Sequence, residues 1–161
     1  SDNLTFNESD ITVDSEGNYY AAKVAINSIE KYAPDGTLLF NASRKKDYKE
    51  SDKVIRQSAG NSNYAPMFNR FSNSIHRDGK DRLWVETYLR QYTVEERLGS
   101  YRTLEVPGFI CYEVYDTQGI LLQRIPWEFG KGRRLKHIEG DRLFFVSWND
   151  TAVYEYRIVE Q

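Results

Sequence analysis

The 161 residues include one cysteine, one methionine, two histidines and four prolines, and no apolar run approaches the length of a bilayer. Each scarcity removes a class of function. A lone Cys111 can form neither an internal disulfide nor a multi-cysteine zinc centre. It lies in the apolar run FICY, residues 109–112, and reads as a buried structural thiol rather than a nucleophile. A spanning helix needs about 20 consecutive apolar residues, so no membrane insertion is expected, and no signal peptide is visible. A formal net charge of -2 gives no global attraction to nucleic acid or to an anionic membrane. Also missing are the Gly-x-Ser-x-Gly elbow, Cys-x-x-Cys, a phosphate-cradling glycine loop and His-Glu-x-x-His. No catalytic residue, metal ligand or cofactor is therefore assigned.

What is abundant is aromatic. Twelve tyrosines in a chain 40% hydrophobic indicate a folded β protein, and the length suits one domain. Self-similarity organises it. ITVDSEGNYYA (11–21) reads as strand, turn, strand, and IHRDGKDRLWV (75–85) repeats it 64 residues on. IEGDRLFFV (138–146) repeats it again. A second hairpin follows each: IEKYAPDGTLL (29–39), YEVYDTQGILL (112–122) and VYEYRIV (153–159). The turns carry Asp first and Gly last, as in Asp14 to Gly17 and Asp116 to Gly119, because Asp bonds the backbone two residues on and Gly accepts positive φ. Asp14, Asp78 and Asp141 align as first-turn residues. The stretch from Asp14 has the residue types of a calcium loop, but Gly17 is fourth rather than sixth and two tyrosines follow, so it reads as a turn.

Two antiparallel hairpins in series, repeated, are the pattern of β-propeller blades. The quoted blocks resemble the bacterial six-bladed β-propeller family related to NHL-repeat proteins, over residues 10–159 with the insertions omitted. The resemblance implies an all-β fold of about three four-stranded blades, half of a six-bladed ring. The first blade is expected at about 10–41, an insertion at 42–72, the second blade at about 73–126 with an insertion at 88–108, and the third at about 134–159. The third unit shows only three strands, its fourth expected from Asn3-Leu-Thr-Phe6 or a partner. Ring closure is expected from an N-terminal half outside these residues or from a homodimer, the opening Ser-Asp reading as a piece of a longer product. The family resemblance also implies a periplasmic or secreted location, while the four Asn-x-Ser/Thr sequons are read as chance.

Both insertions, and the shorter 126–134, fall in connections that emerge on one end of a propeller, so the added length is expected on one face. The first insertion holds seven basic and three acidic residues, and the three connections together sum to about +6. Candidate binding residues are Tyr88, Arg90, Tyr92, Arg97, Tyr101 and Arg102, which interleave aromatic rings with guanidinium groups. Trp127, Arg133 and Arg134 join them from the third connection, whereas Trp84 reads as core and Trp148 as reachable. Exposed solubilising charge and cross-strand tyrosine pairs are the plainer alternatives. His76 follows Ile75 while His137 precedes Ile138, so the two are not expected at equivalent positions. The expected function is a non-catalytic binding module for a protein, glycan or small anionic ligand. The alternative is a propeller lactonase- or lyase-type enzyme with a divalent metal near the axis.

Overall fold

A computed structural model describes residues 8–51, 55–59, 63–91, 108–126, 132–147 and 150–159, with side chains omitted for 55–67. Among these residues there are thirteen strands and no helix. β1 (Ser9–Val13), β2 (Tyr19–Lys23), β3 (Ile29–Tyr32) and β4 (Leu38–Ala42) form a four-stranded antiparallel meander. β7 (Ser72–Arg77), β8 (Leu83–Tyr88), β9 (Ile110–Tyr115) and β10 (Leu121–Pro126) form a second. β11 (Arg133–Glu139), β12 (Arg142–Ser147) and β13 (Val153–Arg157) form a third sheet of three. The first insertion contributes a separate hairpin, β5 (Ile55–Ala59) with β6 (Asn63–Met67). The expected fourth strand at residues 3–6 lies outside the described residues.

The hydrophobic core lies between sheets, because each blade buries alternate residues on both faces. Tyr20, Ala22 and Ile29 of the first blade pack on Ile75, Leu83, Val85 and Tyr115 of the second. The second blade's other face, Trp84, Tyr112 and Val114, packs on Leu135, Ile138, Leu143 and Phe145 of the third. β8 and β9 are buried along their whole length, which explains their near-continuous apolar and aromatic sequence. The first strands of the three blades sit side by side, with β7 touching both β1 and β11.

The turn chemistry repeats in atomic detail. Asp14 Oδ1 accepts the amides of Glu16 and Asn18, and its Oδ2 accepts the Tyr20 hydroxyl at 3.2 Å. Asp78 Oδ1 accepts the amides of Lys80 and Arg82, and its Oδ2 accepts Trp84 Nε1 at 3.0 Å. The fourth turn residue has positive φ in both blades, Gly17 at 83° and Asp81 at 60°. Asp141 does not belong to this set. Glu139 pairs directly with Arg142, so the third blade turns on Gly140-Asp141 alone, and the shorter loop displaces the sequence alignment. The register also corrects the histidines. His76 lies opposite Trp84 and His137 opposite Phe144, with Thr12 opposite Tyr20, so the two histidines are equivalent after all.

Candidate functional site

Residues on the first strands converge where the three blades meet. Asp10 from β1, Asn73, Ser74 and His76 from β7 with its neighbour Glu86 on β8, and Arg134 and Lys136 from β11 line a pocket of about 350 Å³. The size suits a small metabolite. Irregular pairing on both sides helps to shape it: the β7–β8 register shifts between Ser72 and Ser74, and the β11–β12 register between Leu135 and His137.

The carboxylates lining this pocket already have donors. Asp10 Oδ2 accepts the Ile75 amide at 2.8 Å, and Glu86 accepts Asn73 Nδ2 at 2.9 Å and the Tyr112 hydroxyl at 3.4 Å. The cations and neutral donors do not fare equally. Ser74 Oγ, His76 Nε2 and Arg134 Nε are buried with no hydrogen-bond partner, and they are all such side-chain atoms among the described residues. Arg134 Nε stands 4.0 Å from Glu86 Oε1, an attraction without a hydrogen bond. Burial pushes the Glu86 carboxyl up, against the pull of Arg134. Burial holds the His76 ring below its ordinary range, opposed by Asp10 and by the Leu135 backbone. Arg134 Nε and the Ser74 hydroxyl are thus spare donors, whereas His76, neutral and donating its other ring nitrogen to the Leu135 backbone, offers Nε2 as an acceptor. No hydrogen bond links Ser74 Oγ to His76 Nε2. Among the described residues no three His, Cys, Asp or Glu side chains gather as metal ligands.

A second polar centre lies between the first two blades. Glu113, fully buried on β9, accepts Lys46 Nζ at 3.3 Å and Arg124 Nε at 3.1 Å on one oxygen. Its other oxygen accepts Thr87 Oγ1 at 3.0 Å and the Tyr115 hydroxyl at 2.8 Å, with Arg44 Nη1 3.8 Å away. Arg44 also donates to the Phe71 carbonyl, Thr87 and Ser72. Arg44 and Lys46 are therefore interior, not part of a solvent-facing basic loop, because a buried carboxylate from the second blade draws them in. Tyr48 completes this strap, its hydroxyl 3.1 Å from the Arg70 carbonyl and 2.8 Å from that of Tyr88. Gln91 meets Arg70 from the other insertion, so the described ends of both insertions lie together.

The residues singled out in the sequence are dispersed. The Tyr88 ring is 1% exposed and packs edge-on against Phe109 at 5.4 Å, which makes it core rather than a reachable surface ring. Arg90 lies over Phe109 at 4.9 Å, and Arg133 lies 3.4 Å over Tyr154 with Nη1 2.7 Å from the Tyr156 hydroxyl. Of the described candidates, Arg134 alone lines the pocket. Tyr92, Arg97, Tyr101, Arg102 and Trp127 lie outside the described residues. Cys111 is buried, and burial raises its thiol to about 11.

No family model matches the chain, and no curated protein matches it. A solved structure of a catalytically inactive virginiamycin B lyase from Staphylococcus aureus with quinupristin is similar to it, with 11% identity and a TM-score of 0.42. The similarity covers 98% of this chain and 44% of that one, so the chain spans less than half of that protein's length. Three antiparallel meanders stacked face to face with their first strands adjacent give the chain an all-β, propeller-like fold.

Proposed function

We propose that this chain is a non-catalytic binding module whose pocket at the junction of the three blades takes a small anionic ligand. The observation that supports this is the coincidence on one pocket of all three unpartnered buried side-chain polar atoms found among the described residues. Buried polar groups are almost always hydrogen-bonded, and each one left without a partner costs about 1–3 kcal/mol. For two of the three, Arg134 Nε and Ser74 Oγ, the missing partner is an acceptor. The two carboxylates are supplied by Ile75, Asn73 and Tyr112, while Arg134 Nε has only a distant one and Ser74 Oγ has none. A carboxylate- or phosphate-bearing molecule fits that deficit, with Lys136 on the same wall adding positive charge.

Calorimetric titration with inorganic phosphate and with short dicarboxylates tests the reading. Saturable one-to-one binding is expected, weakened about 10- to 100-fold by Arg134→Gln, the range for losing a charge-assisted hydrogen bond. Ser74→Ala should weaken it less. No binding of either anion, or equal binding by Arg134→Gln, would sink the proposal.

A further inference from the structure

The register makes the blades comparable position by position, and burial then shows which faces lack a neighbour. Ile11 and Ile75 are equivalent, opposite Ala21 and Val85 respectively, yet Ile11 is 62% exposed and Ile75 is 2% exposed. The difference is the first blade, which covers Ile75. On the third blade the equivalent of Tyr20 and Trp84 is Phe144. Tyr20 and Trp84 are buried by the following blade, whereas Phe144 is only half-buried and Val153, opposite Val146 on the same face, is 66% exposed.

Both internal junctions follow one rule. The face that carries Tyr20 or Trp84 is laid against the opposite face of the next blade, whose first two strands supply Ile75 with Val85 or Leu135 with Phe145. The uncovered faces are the two halves of the same rule: Ile11 and Val13 beside the stacked pair Tyr19 and Tyr32 on the first blade, Phe144 with Val146 and Val153 on the third. The geometry points to a second copy of this chain as the occupant. Its Phe144 face seats on Ile11 of the first copy, and the reverse contact closes the pair. Such a head-to-tail contact made twice has two-fold symmetry and leaves no apolar blade face open.

Light scattering on the 161-residue chain reads this directly. The expected mass is twice the 18.9 kDa of one chain. Ile11→Asp and Val153→Asp replace exposed side chains, so each should remain folded by circular dichroism yet turn monomeric. Mixing the two variants should restore association, because one intact Ile11 face then meets one intact Val153 face. A folded monomer at every concentration tested overturns the proposal. So does a dimer that both substitutions leave intact, or paired variants that stay monomeric on mixing.

Discussion

Replacing Glu113 by glutamine probes the seam between the first two blades. The substitution keeps the shape and removes the charge that Lys46 and Arg44, both nearly inaccessible, are buried against at 3.3 and 3.8 Å. Arg124 also contacts Glu113, but it is half-exposed and screened, so its share is small. Removing one partner of a buried ion pair costs about 3–5 kcal/mol, since the remaining charges are left uncompensated. For a domain of this length that corresponds to a fall in Tm on the order of 10 °C. The pH dependence has a definite sign. Burial raises the Glu113 carboxyl, but the Lys46 charge, the Tyr115 hydroxyl and Arg44 outweigh it and hold the group below its ordinary value. A depressed folded pKa gives stability that is present above the unfolded value of about 4.3 and lost as pH falls through the folded one. Urea unfolding midpoints of the native chain and of Glu113→Gln should thus be well separated at neutral pH and converge in acid. Equal midpoints at neutral pH, or a gap that persists unchanged in acid, would refute the ion-pair account of this seam.

Asp78→Ala removes the acceptor for the Lys80 and Arg82 amides and for buried Trp84 Nε1, and should lower stability by about 2–3 kcal/mol in urea titrations. Gly79→Ala places a methyl 2.9 Å from Gly140 Cα, where backbone meets backbone, so a loss of about 1–3 kcal/mol is expected on thermal unfolding. His76, held neutral by burial among Asp10, Lys136 and His137, should make the native chain lose stability as pH falls below about 6.5, the unfolded value at which the denatured chain begins to take up the proton. The His76→Asn variant should lack that slope in pH-dependent melts.

The turns were the most legible part of the sequence, because Asp14 and Asp78 act on amides within four residues of themselves. Local chemistry survives translation into one dimension. The third turn misled for the same reason: it is shorter, so matching Asp141 to Asp78 shifted the alignment and hid the equivalence of His76 with His137. Arg44 and Lys46 looked like solvated loop charge because their partner lies 67 residues beyond Lys46 and is buried only once the blades stack. The pocket was legible in one residue, Arg134. Its other members carry no motif, and their lack of partners is a property of packing that no spacing encodes.

The strap of Arg44, Lys46 and Tyr48 makes the two seams of the array mechanically unequal. It rivets the first blade to the second through Glu113, Thr87 and the Tyr88 carbonyl, whereas the second blade meets the third through single contacts, the Leu135 amide to the Tyr112 hydroxyl, the Gly79 amide to the Gly140 carbonyl and Arg134 4.0 Å from Glu86. Under load the chain should therefore tear at its second seam and leave a two-blade kernel standing. The pocket straddles that weaker seam, with Ser74, His76 and Glu86 on one side and Arg134 on the other. A ligand bound there would act as a clasp, and the grip of the third blade would then gauge whether the pocket is full.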